Sequence, residues 1–147
     1  IFSLLMVCFS SLLFIISEEN KMKFKNKGDV ILTIVIDSSV QQFQTCIDAC
    51  NKCMQACEEC LTSCLKEADV QARTLCINIL RDCADICSMA AQWMSCGSMY
   101  AKQFCQLCVT ICDACATECA KFQDAHCQEC ANFCRQCAEE CRKMATM

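Results

Sequence analysis

Cysteines at a repeating spacing are the residues of this chain best suited to chemistry. The chain has 21 Cys in 147 residues, a frequency that ordinary core packing does not explain. In three segments the consecutive cysteines alternate steps of four and three residues, and one further segment is sparser. These 19 seam cysteines are Cys46, Cys50, Cys53, Cys57, Cys60 and Cys64, then Cys76, Cys83 and Cys87, then Cys105, Cys108, Cys112, Cys115 and Cys119, and finally Cys127, Cys130, Cys134, Cys137 and Cys141.

Thiols at this spacing indicate a metal-binding core. Residues three or four apart on a helix lie close enough for two sulfurs to face one ion. Soft thiolates select copper(I), zinc or iron–sulfur clusters. Zinc prefers closed sets of four ligands, whereas a continuous ladder lets each thiolate bridge two copper(I) ions. We therefore expect many copper(I) ions per chain, roughly one per seam thiolate, a ratio that also leaves the buried core near neutral.

Three other uses of the cysteines are weaker. Ferredoxin motifs place Pro after closely spaced loop cysteines, and this chain contains no Pro. A general thiolate sink for zinc and copper stays open as the main alternative, as does a disulfide-stabilised structural bundle. Disulfides within one helical face constrain the chain little and would require an oxidising compartment. Cys96 lies outside the seams, and we do not expect it to bind metal.

The spacing also predicts the elements that carry the thiols. Steps of three and four average 3.5 residues, which keeps side chains on one stripe of a helix facing a bundle interior. Short connections at 65–69, 95–98 and 121–125 force neighbouring helices to be antiparallel. The sequence therefore predicts an all-α fold, an antiparallel up-down-up-down four-helix bundle with a cysteine-lined core. Apolar residues are expected to complete the inward stripe of the second helix, namely Ile79, Leu80, Ala90, Ala91 and Met94.

The boundaries of the bundle follow from composition and capping residues. We assign residues 38–147 to the bundle and residues 1–37 to an N-terminal extension outside it. Residues 1–16 are apolar, like a degraded signal peptide, although no small-residue cleavage site follows. Alternatively, translation begins at Met22 and the preceding residues come from a mistranslated upstream region. Side-chain oxygens suited to N-capping are expected at the four helix starts, on Ser38 or Ser39, Asp69, Ser98 and Asp124.

Two further assignments concern the extension. The run at residues 30–36 suits a short strand, which would have no partner, or a flexible apolar arm. Cys8 is interpreted as part of the apolar run at residues 1–16. Neither is given a function.

Charge and residue inventory exclude two broad classes of function. The formal net charge is -4, and no basic patch is present to bind nucleic acid. One His cannot supply a nucleophile, a base and an orienting group. We therefore expect a protein that is not an enzyme and whose main ligand is copper, with a copper chaperone or a small thiol carrier as the exchange partner.

Four cysteine-seamed segments in this order resemble the bacterial copper storage proteins, in particular their cytosolic branch. The resemblance covers Cys46 to Met144. It is carried by CIDACNKCMQACEECLTSC, CADICSMAA, FCQLCVTICDACATEC and HCQECANFCRQCAEEC. The resemblance implies copper(I) storage inside the bundle, a homotetramer and a cytoplasmic location. Export is the alternative if residues 1–16 are a signal peptide.

The two ends of the predicted bundle differ in their residues. His126 lies where the first and third helices end, and the resemblance implies that a His at this position marks an open mouth for copper. We therefore include His126 among the metal ligands. Large side chains gather at the opposite end and are expected to plug the core, with the methionines as packing or, less favoured, as thioethers in copper transfer. They are Phe43, Met89, Trp93, Met94, Met99, Tyr100, Phe104 and Met144.

Overall fold

Four long helices form the part of the chain that the structure describes. The computed structural model describes residues 41–147. The helices are α1 at Gln44–Cys64, α2 at Thr74–Ser95, α3 at Ala101–Cys119 and α4 at Ala125–Thr146, and a 3-10 helix at Val70–Arg73 precedes α2. Each helix packs against the two beside it, so that α1 and α4 close the ring. The predicted all-α four-helix bundle is confirmed. The extension at residues 1–37, Cys8 and the strand expected at 30–36 lie outside the described residues.

Every seam cysteine is buried. Of the twenty cysteines described, all are free thiols, and Cys96 alone among them is exposed. The alternation of four and three also continues through buried residues that are not cysteine. These are Leu80, Ala90 and Met94 on α2, Ala101 on α3 and Met144 on α4. Each helix therefore presents six buried positions in register to the core. Of the apolar residues expected to face inward on α2, Ile79 is only partly buried and the others are buried.

The helix starts differ from the predicted caps. Helix α1 begins after Phe43, while Ser38 and Ser39 lie outside the described residues. Asp69 precedes the 3-10 helix rather than α2 itself. Asp124 does precede α4, but its carboxylate makes no capping hydrogen bond, because it binds Arg73 instead. The prediction of side-chain caps was wrong at these two aspartates, because both carboxylates form ion pairs with Arg73.

Helix α3 begins after Tyr100, two residues later than predicted from Ser98. The hydroxyl of Ser98 nevertheless accepts a hydrogen bond from the Tyr100 amide at 3.2 Å.

The turn between α2 and α3 depends on Gly97. Its φ of 63° lies in the left-handed region, which residues with a Cβ adopt at a cost. The Gly97 amide donates to the Met94 carbonyl at 3.1 Å, and the Ser98 amide donates to the Trp93 carbonyl at 3.0 Å. These two bonds form a Schellman motif, which satisfies the last carbonyls of α2. The motif ends α2 sharply and lets α3 return antiparallel to it.

Candidate metal centre

The seam thiols form one connected sulfur network across the core. Helix α4 faces α1, with Sγ–Sγ distances of 3.6 Å between Cys46 and Cys141 and 3.7 Å between Cys53 and Cys134. Helix α2 faces α3, where Cys87 lies 3.7 Å from Cys108. Cys87 is also 3.8 Å from Cys137 on α4, diagonally across the bundle. A thiol on any helix therefore has neighbours on others, so ions can be held between helices as well as along them.

Several groups of four thiols are compact enough to hold an ion, and they share members. In each group the four sulfurs lie within 4.8 Å of one another. Cys137 belongs to one group with Cys50, Cys108 and Cys141 and to another with Cys53, Cys87 and Cys112. Cys134 is likewise common to two groups. The core therefore does not divide into separate four-thiol sites, and its arrangement suits thiolates that bridge neighbouring ions.

His126 joins the thiol network at one end of the bundle, which we call the His126 end. Its Nε2 lies 3.7 Å from the Sγ of Cys64. The donor atoms of Cys60, Cys64, His126 and Cys127 lie within 4.8 Å of one another. His126 is half-buried, whereas its three partners are buried. The predicted His and the ends of the cysteine seams thus meet in one place, with the imidazole between the core and solvent.

Arg73 is a residue at the His126 end that sequence reasoning missed. Its side chain is buried, although it is charged. The guanidinium binds Asp69 at 2.6 Å and Asp124 at 2.8 Å, and it lies 4.5 Å from the centre of the Phe122 ring. Its Nη1 donates to the Sγ of Cys127 at 3.7 Å. Arg73 therefore ties the connection before α2 to the start of α4, and it brings a fixed positive charge to the terminal thiols.

The charges around Arg73 support one another. Its hydrogen bond to Asp69 raises the pKa of the guanidinium, and this bond also lowers the pKa of the Asp69 carboxyl. Hydrogen bonding to Arg73 lowers the pKa of Asp124 in the same way. All three groups are therefore ionised at neutral pH. The only sequence signal was the four-residue spacing from Asp69 to Arg73, which predicts a surface ion pair and says nothing of the core.

Burial controls the protonation of the thiols at this end. It raises the pKa of the Cys127 thiol to about 12, and burial is also the main cause that raises the pKa of Cys64. Hydrogen bonds with Cys127 and Arg73 partly oppose this rise in the pKa of Cys64, because they stabilise its thiolate. Both groups are neutral thiols at pH 7 in the metal-free protein. A bound copper(I) ion must therefore displace protons, which makes its apparent affinity rise with pH.

The opposite end, which we call the Trp93 end, is closed by aromatic packing. The rings of Trp93 and Phe104 lie 4.3 Å apart between centres, and Phe43 also packs on the core. Met94 and Met144 are buried beneath them. The predicted plug was wrong in two of its members, since Met89 and Met99 are exposed. Tyr100 is half-exposed, but its ring packs edge-on against that of Trp93, with 6.0 Å between the ring centres. Met99 and Tyr100 lie in the connection between helices, and Met89 is outside the seam register of α2.

Comparison with known proteins identifies the family. The model of the copper storage protein family matches residues 39–146. The chain belongs to the copper storage protein family. Among proteins related to this copper storage protein is the cysteine-rich protein YhjQ of Bacillus subtilis strain 168, whose function is uncharacterised. It is 48% identical over 86 residues, which are 58% of this chain and 80% of YhjQ.

Solved structures of copper storage proteins share the fold. Cu(I)-bound BsCsp3 is 48% identical, with a TM-score of 0.68 over 70% of this chain and 97% of its own. A cytosolic copper storage protein from Streptomyces lividans, solved with five coppers, is 35% identical with a TM-score of 0.71. That match covers 74% of this chain and 96% of the Streptomyces protein. Family membership confirms the predictions of copper storage and of copper(I) as the ion, and it supports them over the general metal sink and the disulfide bundle.

Two further findings concern the role of the family and the helices of this copper storage protein. Its family is one of storage proteins rather than of enzymes. Within residues 41–147, no helix is both long enough and apolar enough to span a membrane.

Proposed function

We propose that this protein stores copper(I) at high capacity, with the 19 seam cysteines as bridging ligands and His126 as a further ligand at one end. The observation that best supports this proposal is the connected sulfur network, in which single thiols belong to more than one four-sulfur group. A chain of disjoint tetrahedral sites, as zinc prefers, would keep its groups separate. Shared thiolates instead suit copper(I), because one sulfur can bind two ions and the number of ions can approach the number of thiols.

Charge balance supports the same stoichiometry. Each copper(I) ion adds one positive charge and each bound thiolate adds one negative charge. A core with about one ion per thiolate is therefore nearly neutral, which avoids the cost of burying many like charges. A core holding one zinc per four thiolates would keep an excess of about two negative charges at every site.

The test is an anaerobic titration of the fully reduced protein with copper(I), in competition with a chromogenic chelator. Metal analysis of the gel-filtered product then gives the ions retained by each chain. We expect saturation on the order of 19 copper ions, set by the number of seam thiolates. Saturation at only a few ions, or tighter retention of about one zinc per four cysteines, would contradict high-capacity storage by bridging thiolates.

Copper enters and leaves at the His126 end in this proposal. His126 is half-buried beside Cys64, so it can receive an ion at the surface and pass it to a buried thiol. The Trp93 end offers no comparable route, since the Trp93 and Phe104 rings pack across it. We expect His126→Ala to slow copper uptake and release while leaving the final capacity within about one ion of wild type.

The matched control for this variant is Gln123→Ala, an exposed change in the same connection. Stopped-flow transfer from a copper(I)–chelator complex measures both variants. Equal uptake rates for wild type and His126→Ala would argue against entry at this end.

The proposal extends to the location of the protein, its assembly and the partner with which it exchanges copper. We assign the protein to the cytoplasm, where thiols stay reduced and ready for copper(I), and we propose a homotetramer without catalytic activity. Exposed leucines at positions 65 and 107 offer apolar surface for such an assembly. A copper chaperone or small thiol carrier would exchange ions at His126. Light scattering of the full chain tests the tetramer, and a monomer at micromolar concentration would contradict it.

A further inference from the structure

We propose that Met94 is a copper(I) ligand, whose thioether joins Cys46, Cys105 and Cys141 in a four-sulfur site at the Trp93 end. This inference rests on the proposed function and adds a donor that is not a cysteine. It also places a binding site at the end of the core farthest from His126.

Met94 occupies a position on α2 at which the seam pattern predicts a metal ligand. The buried positions of this helix run Cys76, Leu80, Cys83, Cys87, Ala90 and Met94, in steps of four and three. Leu80 and Ala90 interrupt the seam with side chains that cannot bind metal. Met94 ends it with a sulfur, and its side chain is fully buried. The inward face of α2 therefore terminates in a donor rather than in an inert apolar residue.

The contacts of Met94 are those of a member of the sulfur network. The Cys105 thiol donates a hydrogen bond to the Met94 Sδ at 3.7 Å. Across the core, the Sγ atoms of Cys46 and Cys141 lie 3.6 Å apart. Cys46 lies near the start of α1 and Cys141 near the end of α4, so antiparallel packing brings both to the end of the bundle that holds Met94 and Cys105. Each helix thus supplies one sulfur at this level: α1 through Cys46, α2 through Met94, α3 through Cys105 and α4 through Cys141.

The chemistry of a thioether suits this position. Met sulfur is a soft donor that prefers copper(I), and it carries no charge. Thiolates at the end of the seams have fewer neighbouring ions to bridge than those in the middle, so their negative charge is balanced less completely. A fourth thiolate would add another charge at a level where the sulfur donors are buried, so a neutral fourth sulfur costs less to bury. Copper(I) replaces the proton of the Cys105 thiol, and that proton is released to solvent. The lone pair of the Met94 sulfur, which had accepted a hydrogen bond from this proton, then binds the metal.

Nuclear magnetic resonance of the methionine methyl groups tests the inference on the full-length protein. The reduced chain is labelled with [methyl-13C]methionine and loaded anaerobically with copper(I), a diamagnetic ion. Met94→Leu, which keeps the volume of the side chain and removes the sulfur, assigns the Met94 signal by its disappearance. We expect loading to shift this signal by at least several times the shift of Met54. Met54 is the reference, because it also packs against the core but lies outside the seam register of α1.

The capacity of the variants gives a second readout. Met94→Leu should retain about one copper ion fewer than wild type against a chelator, because the terminal site loses a donor. Met89→Leu makes the same chemical change on the exposed side of α2 and should retain the full number. A Met94 signal that moves no more than that of Met54 would overturn the inference, whatever the capacity of the variants. Failure of wild type to bind many ions would instead overturn the proposed function, so the two failures are distinguishable.

Discussion

Replacing Leu80 by Ala tests whether the thiol core is packed as tightly as an ordinary hydrophobic core. Leu80 is fully buried at a seam position of α2, with Cys76 before it and Cys83 after it in register. Removing a buried leucine side chain costs about 2–5 kcal/mol, because apolar contacts are lost and a cavity remains. Cysteines on the facing helices are small and cannot extend into the space. We therefore expect a loss of about 3 kcal/mol in the metal-free protein.

Urea and thermal unfolding of the reduced, copper-free protein measure this loss. A change of about 3 kcal/mol should lower the melting temperature by at least about 12 °C for a domain of this size. Leu75→Ala is the matched control, since Leu75 lies on the same helix with 57% of its surface exposed. Its effect should stay within about 0.5 kcal/mol. The copper capacity of both variants should equal that of wild type, because neither change removes a sulfur donor.

Two results would refute this reasoning. If Leu80→Ala were as stable as Leu75→Ala, the core around Leu80 would have to be loosely packed or able to collapse around the cavity. If Leu80→Ala were to lose several copper ions while remaining folded, the position of the thiols rather than their number would limit capacity. The second result would also weaken the assignment of bridging thiolates, because that assignment makes capacity follow the count of sulfur donors in the core.

The remaining predictions concern pH, the His126 end and the turn before α3. Burial raises the pKa of Cys127 to about 12, whereas an unfolded cysteine titrates near about 8.5. The stability that Cys127 contributes as a buried neutral thiol is complete below about pH 8.5 and is lost as the pH rises toward 12. The urea midpoint of the copper-free protein should therefore fall between these two pH values. Arg73→Gln should slow copper uptake without changing capacity, because Cys127 loses a cationic neighbour, whereas the exposed Arg81→Gln should match wild type in the same stopped-flow assay. Gly97→Ala should cost about 1 kcal/mol in urea unfolding, because Gly97 has a φ of 63° that disfavours a Cβ, and Gly97→Asn should cost less.

The fold and most of the core were predictable because one pattern encodes both. Cysteine steps of four and three specify a helix and also its inward face, so locating the thiols also located the helices. Met94 could have been distinguished from Met89 by the same rule, since position 94 continues the α2 register and position 89 does not. The expected plug grouped residues by size and by chain position. It therefore included Met89 and Met99, which the structure leaves exposed.

The Arg73 contacts could not be predicted, because its partners come from separate connections. Asp69 is near in sequence, but Asp124 and Phe122 belong to the turn before α4. No periodicity extends through these connections, and local rules read both aspartates as helix caps. A buried guanidinium stabilises its own carboxylate partners more than a free amide does. The ion pairs therefore override the capping preference, and only the packed bundle reveals this competition.

The chemical difference between the two ends implies separate control of rate and capacity. At the His126 end a half-buried imidazole, a fixed cation and protonated thiols lie together, so ligand exchange there involves groups that can move protons and receive an incoming carrier. At the Trp93 end the sulfur donors Met94, Cys105 and Cys141 are fully buried, and the nearby Trp93 and Phe104 rings pack on each other. Under the proposed mechanism, changes at His126 or Arg73 alter the speed of loading, whereas loss of Met94 alters the number of ions held. A variant at the His126 end that lost several ions, or a Met94 variant that loaded more slowly, would contradict this separation of rate and capacity.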